Sequence, residues 1–253
     1  MIPFTVVDIS KTGTPMSYLQ PFARNLWIAD GPNVRDFGVM FTTRMSIARL
    51  SDGSLWVNSP VSVSLETLKR ITELGPVKYL VAGTPRHVWR LEEWHTLFPE
   101  GQLWASRPTP FTLKKGRLPI TGILGDDPPQ AWAADLDQLA FKGNPLIEEV
   151  PFFHKESRTL IMDDLIQNHR IEKDKPLSSA LFKLAGVTGP HGGVPRDIRL
   201  SFTNRKLARQ SLEKLLSWDF DKLIIAHGVC FEQDARTIVK RAFRWLTRAH
   251  AIR

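Results

Sequence analysis

Two β-rich runs, Met45–Leu50 and Ser54–Asn58, flank Asp52-Gly53. A Gly-containing turn between such runs predicts a hairpin, because the turn supplies the backbone twist that two paired strands need. A further strand is predicted over Asn25–Asp30, ended by Gly31-Pro32, so the chain up to residue 60 reads as antiparallel sheet. After Ser64 the apolar period lengthens. Leu65, Leu68, Ile71 and Leu74 fall at helical spacing, Ser64 can cap the start, and Gly75-Pro76 stops the run. Val77–Ala82 follows as a short buried strand, Gly83–His87 as a loop, Leu91–Phe98 as a helix with Leu91, Trp94 and Phe98 inward, and Gln102–Ser106 as another strand. Alternation of strand and helix at this spacing argues for an α/β layered domain.

The second half is less regular. Pro108–Pro129 is rich in Pro and Gly and predicts loop, while Ile147–Phe153 and Arg158–Met162 predict strands joined through His154–Ser157. Gln167–Arg199 is polar and broken, with one short helix near Ser178–Leu184; insertions of this length are typically covers over a site or disordered. A helix over Arg205–Ser217, a strand over Lys222–Ala226 and a last helix from Gln233 complete the pattern. Ile238, Val239, Ala242, Phe243, Leu246 and Ala249 line one side of that last helix, with arginines opposite, the pattern of a helix docked on a sheet.

Composition narrows the class. A chain of 253 residues, 42% hydrophobic and 24% charged, can bury a substantial core, and we read it as one domain over residues 1–253. The single Cys230 cannot form an internal disulfide, which suits a reducing compartment. No apolar run approaches the ~20 residues of a membrane span, and Met1–Gln20 does not read as a signal peptide. The cytoplasm is the expected location. Lys and Arg number 34 against 26 Asp and Glu, a formal charge of +8 concentrated in the last third. A basic surface of this kind can draw anionic membrane or nucleic acid, but the eight tryptophans are spread through core-like runs and form no stacking platform, so nucleic acid is not an expected partner.

Three polar residues share one context. His87 follows the strand Val77–Ala82, Asp164 follows Arg158–Met162, and His227 follows Lys222–Ala226. Ligands of α/β sheets gather beyond the carboxyl ends of strands. Two imidazoles and a carboxylate at that rim form a donor set for one divalent ion (zinc, iron or manganese), which would make water acidic enough to attack near neutral pH. Each residue taken alone reads as a hydrogen-bonded structural group; only the shared context supports the joint site. Asp163 is a candidate partner for a ligand histidine or a solvent-facing strand end, and His154 is expected to be exposed in a hairpin turn. His191-Gly192-Gly193 could receive an anion or simply serve a turn, His95 and His169 carry no motif, and Cys230 reads as a small buried apolar residue.

The order of these elements resembles the metallo-β-lactamase superfamily. Phe153–Leu165 looks like the hairpin that delivers the family's bridging aspartate, with Asp164 in that place, and Ile225-Ala-His-Gly228 looks like its last ligand motif. Arg49–Pro60 and Gly125–Pro129 resemble an uncharacterised, degenerate branch of that superfamily, and the likeness runs from about Leu26 to Phe243. It implies a four-layer αββα sandwich and a metal site for hydrolysis, with Asp164 also in a catalytic role. The chain departs from the family's central His-x-His-x-Asp-His motif, offering only Thr84-Pro-Arg-His-Val-Trp-Arg90. Asn144 stands where a middle histidine is usual. A two-metal centre therefore cannot be assembled from matching positions. Two readings stay open: a hydrolase with one ion on His87, Asp164 and His227, or a metal-free relative that binds a small molecule or partner in the same crevice. Substrate and oligomeric state are not legible.

Overall fold

The computed structural model describes residues 18–36, 39–107, 118–173 and 175–247. Among these, β1 (Leu19–Ala23), β2 (Leu26–Asp36), β3 (Val39–Arg49), β4 (Leu55–Asn58), β5 (Val77–Ala82), β6 (Gln102–Ala105) and β7 (Ile120–Ile123) form one sheet in sequential order. The second sheet runs β11 (Lys222–Ile225), β10 (Thr159–Met162), β9 (Phe152–His154), β8 (Leu136–Gln138). β1 to β4 pair antiparallel and β4 to β7 parallel. In the second sheet only β10 and β11 are parallel.

The helices are α1 (Leu65–Leu74), α2 (Leu91–Leu97), α3 (Pro176–Ala185), α4 (Arg196–Ser201), α5 (Arg205–Ser217), α6 (Ala235–Ala242) and α7 (Arg244–Thr247). Strand alternation sorts the core into three layers of contact. Leu55 and Val57 of β4 and Leu80 of β5 pack toward Ile71 of α1 and Trp94 of α2. Trp56 of β4 and Tyr79 and Val81 of β5 point the other way, onto Trp132, Phe152, Ile161 and Ile224 of the second sheet's side. Leu160 and Met162 of β10 and Leu223 and Ile225 of β11 then face Leu212, Leu215, Val239 and Phe243 of α5, α6 and their flank. Because successive residues of a strand face opposite sides, two sheets and two outer helical layers follow. No helix of the described residues is long and apolar enough to cross a membrane.

Several expectations need correcting. The first long strand does not stop at Gly31-Pro32. β2 passes through both to Asp36, with a register shift between Gly31 and Val34, and bulges are where a strand tolerates Gly and Pro. Part of the Pro108–Pro129 loop forms β7 beside β6, and residues 108–117 lie outside the described residues. Only the end of Ile147–Phe153 is strand, and β1, β8 and α4 carried too short a pattern to be foreseen. Ser64 does cap α1, its Oγ accepting from Thr67 N at 3.1 Å, but Leu65 is 86% exposed and the inward residues are Thr67 and Ile71. His154 is buried rather than exposed: it ends β9, its Nδ1 lies 2.7 Å from Ser157 Oγ, and burial lowers its pKa. The last helix breaks at Phe243 into α6 and α7, and Ala249 lies outside the described residues.

Candidate metal centre

Parallel pairing of β10 with β11 puts Met162 opposite Ile225, so Asp164 and His227 leave neighbouring strands at one level. His87 arrives from the first sheet, on the loop after β5. Their tips converge. Asp164 Oδ1 lies 3.3 Å from His227 Nε2 and 3.6 Å from His87 Nε2, and one ligand atom from each of the three falls within 4.8 Å of the others. The two imidazole rings stand nearly perpendicular with centroids 5.3 Å apart.

The surroundings fix how each donor presents itself. His227 Nδ1 sits 2.7 Å from the carbonyl of Thr42, which can only accept, so that nitrogen carries a proton and Nε2 is left to face the crevice. Thr84 Oγ1 donates to Asp164 Oδ2 at 2.8 Å and leaves Oδ1 toward the histidines. Ser59 Oγ lies 2.7 Å from His87 Nδ1 and also hydrogen-bonds the Asp163 carboxylate; when it donates to Asp163 it accepts from His87 Nδ1. Ser59 adopts φ 54° to reach this position, a conformation costly for a non-glycine residue and common at functional sites.

Beneath the triad lies a group that no motif announced. Glu149 is fully buried, and its carboxylate accepts from the backbone N–H of Asp163, Asp164 and Leu165 at 2.8, 2.8 and 2.7 Å. Burial, then the charges of Asp163 and Asp164, push its pKa up to about 8, against the pull of those N–H groups. Asp163 is 3% exposed, not a solvent-facing strand end; burial raises its pKa, and Asn58 Nδ2 donates to it at 3.0 Å. Asp164 is held well below the usual carboxylate range: burial opposes this, but His87 and His227 outweigh it. His87 shows the reciprocal effect. Burial works to lower its pKa, yet Asp164, Asp163 and Glu149 carry it to about 9.

A second set of residues holds the His227 loop, and the sequence alone gave no pointer to it. Arg44 Nη1 reaches Ile225 O at 3.0 Å, Gly228 O at 2.6 Å and Cys230 Sγ at 3.0 Å, while its Nε meets Asp30 Oδ1 at 2.7 Å. Cys230 is partly buried, and burial raises its pKa despite that guanidinium. Gly228 has φ +103°, and a Cβ there would lie 2.0 Å from Asn168 O. We expect Gly228→Ala to cost about 3 kcal/mol or more and to displace His227. A urea midpoint within error of the parent protein would contradict that.

The other histidines fall elsewhere. His169 stacks on Phe182 with centroids 3.8 Å apart and takes Phe41 edge-on; burial, then the neighbouring His227, lowers its pKa to about 3, so it serves as a neutral wall of the crevice. Asn144 does not turn to the triad. Its Nδ2 donates to Ser201 Oγ at 2.7 Å, and its Oδ1 accepts from Leu146 N and Ile147 N. Among the described residues His87, Asp164 and His227 form the one His/Cys/Asp/Glu group that could hold an ion.

The donor set fits such an ion. Bonds of about 2.0–2.2 Å in tetrahedral geometry require ligand atoms roughly 3.3–3.6 Å apart, which the two separations at Asp164 Oδ1 satisfy. Three buried carboxylates, Glu149, Asp163 and Asp164, also crowd a pocket where burial of unbalanced negative charge is unfavourable.

Known structures share the architecture. DIM-1 metallo-β-lactamase superposes with a TM-score of 0.63 at 12% identity, over 93% of this chain and 99% of that one. A metallo-β-lactamase from Hirschia baltica gives 0.62 at 12%, over 92% and 98%. The metal-soaked Flv1 flavodiiron core from Synechocystis sp. PCC6803 gives 0.62 at 12%, over 92% of this chain and 62% of that one. At such identities the likeness establishes the fold, an αββα metallo-β-lactamase sandwich. No curated protein matches the sequence. The model of the family described as Domain of unknown function (DUF4336) matches residues 25–185, well over half of the chain, and the chain belongs to that family.

Proposed function

We propose that this chain is a metal-dependent hydrolase, one domain over residues 1–253, with a single divalent ion (zinc, iron or manganese) on His87, Asp164 and His227. The observation that carries the reading is the convergence of two imidazole Nε2 atoms on one carboxylate oxygen, at 3.3 and 3.6 Å, above two further buried carboxylates. When bound, the ion would supply Lewis acidity, polarising a carbonyl or phosphoryl oxygen and acidifying water. The chain's own residues supply the rest. Thr42 O and Ser59 Oγ hold the Nδ1 sides of the two histidines, so both Nε2 atoms stay aimed at the crevice. Thr84 pins one oxygen of Asp164 and leaves the other toward the two imidazoles, so in our proposal the catalytic part of Asp164 is to hold the ion rather than to take up a proton. Substrates in this reading are esters, amides or phosphoesters.

A second reading keeps the crevice as a metal-free binding site for a small ligand or partner. It is favoured by the raised pKa of His87: with a proton there, the imidazolium sets a positive charge beside Asp164 without an ion. Elemental analysis separates the two. The chain purified without added metal, then exposed to an equimolar ion and desalted, is expected to retain about one ion per chain by the three-ligand arrangement. His87→Ala combined with Asp164→Asn is expected to retain none. Failure of the unaltered chain to retain any ion, together with no turnover of chromogenic esters, amides or phosphoesters, would leave the metal-free reading.

A further inference from the structure

Away from the triad, α4, the end of α6 and α7 border a half-open hollow of about 370 Å³. Arg196, Arg199, Arg241 and Arg244 line it, with His191 from the preceding loop and the indole of Trp245. The volume is that of a small-molecule site. Two of the guanidiniums converge on one point: a Cβ built on Gly186 would lie 3.6 Å from Arg199 Nη2 and 3.9 Å from Arg196 Nε. Arg199 Nε is fixed by the carbonyl of Val194 at 2.6 Å, which holds the far edge of the guanidinium in place.

Among the described residues this positive charge has no counter-ion: none of the four arginines pairs with a carboxylate. Glu232 and Asp234 line the adjoining hollow past Arg241 and His191, yet they too leave Arg241 unpaired. The pKa of Arg199 is lowered, first by burial and then by the charges of Arg196 and Arg244, as expected for cations held together without an anion. The Nε1–H of Trp245 is buried without an acceptor, and Arg205 lies 6.0 Å over the face of the same ring. Four planar cations around one hollow, with no carboxylate paired to any of them among the described residues, form a donor array suited to anionic oxygens.

We propose that this cavity binds a small molecule carrying two or more linked phosphates, its oxygens gripped by Arg196, Arg199, Arg241 and Arg244. Guanidinium forks match phosphate oxygens two at a time, so four of them exceed what a single orthophosphate can use. The hollow shape suits a compact polyanion; a bilayer surface or a nucleic-acid backbone would call for an open face or track. The proposal does not depend on the metal reading. The loop is nevertheless tied to that region, because Gly193 exchanges backbone hydrogen bonds with Gln167 and Asn168 N donates to His227 O.

Calorimetric titration of the full chain with orthophosphate, pyrophosphate and tripolyphosphate at about 0.15 M salt, where long-range attraction is screened, tests it. We expect saturable one-to-one binding, with pyrophosphate or tripolyphosphate at least about tenfold tighter than orthophosphate. Arg196→Gln with Arg241→Gln, both exposed positions, should weaken binding about tenfold or more, and the Lys pair at the same positions should recover only part of it. Lys69→Gln with Arg70→Gln on exposed α1 removes equal charge and should change affinity less than about twofold. Absence of saturable binding, or equal weakening by both Gln pairs, would overturn the proposal. So would phosphatidylglycerol vesicles binding with the same arginine dependence while soluble oligophosphates do not bind.

Discussion

Replacement of Glu149 by alanine is expected to remove about 4 kcal/mol of stability and to empty the candidate centre. The carboxylate accepts three backbone N–H groups, from Asp163, Asp164 and Leu165, and is itself fully buried. Each buried N–H left without an acceptor costs ~1–3 kcal/mol, and a cavity adds to that. Relief of the repulsion among Glu149, Asp163 and Asp164 gives part of it back. The net loss is a large share of the ~5–15 kcal/mol that folds an ordinary domain. Glu149→Gln keeps one acceptor oxygen but turns an NH₂ group on the remaining N–H, and should fall between. Urea unfolding reads both variants, and a shift below about 0.5 kcal/mol for the alanine variant would mean that the N–H groups find other acceptors. Metal retention provides the second readout, since the three N–H groups belong to the turn that carries Asp164.

With a chelator present, stability is expected to fall as pH rises from about 6.5 to about 9, and zinc should abolish that fall. His87 has a folded pKa of about 9 against an ordinary 6.5. Burial alone would lower it, so the surplus comes from Asp164, Asp163 and Glu149. A group whose folded pKa is raised binds its proton more tightly when folded. Its contribution is therefore complete below 6.5 and lost as pH passes through 9. At 1.36 kcal/mol per unit the difference is about 3 kcal/mol. Glu149, pushed up to about 8 by burial and its acidic neighbours, acts with the same sign, since it too holds a proton more tightly when folded. A zinc ion held by the imidazole Nε2 would take the place of the proton, and its charge would offset the carboxylates at every pH in this range. Chelated and zinc-loaded samples unfolding at the same urea concentration at pH 9 would remove the basis for both the proton and the ion at this position.

The Arg cluster and the triad differ in how far the sequence announced them. His191-Gly192-Gly193 read as an anion loop or a mere turn, and Arg196, Arg199, Arg241 and Arg244 come from helices more than forty residues apart in the chain. As sequence Arg241 and Arg244 read as the solvated face of the last helix, and Arg196 and Arg199 as part of a polar, broken segment. Only the packing of α6 and α7 near α4 turns that face into the wall of a hollow.

Local pattern determined the hairpin around Asp52-Gly53, the capped α1, the buried β5, β10 and β11, and the rim positions of His87, Asp164 and His227. Each depends on periodicity or turn chemistry within a few residues, and such forces act before the chain is folded. The long hairpin through Gly31-Pro32, the burial of His154, and β7 depended on strand pairing and covering layers, where a bulge or a packed neighbour outweighs local preference. The same holds for what positions the centre. A glutamate among Pro145–Pro151 and an arginine inside β3 look ordinary until three orphan N–H groups and the carbonyls of Ile225 and Gly228 are brought to them. Hydrogen-bond need at a buried turn is a property of the packed molecule, and only the tertiary structure decides who meets it.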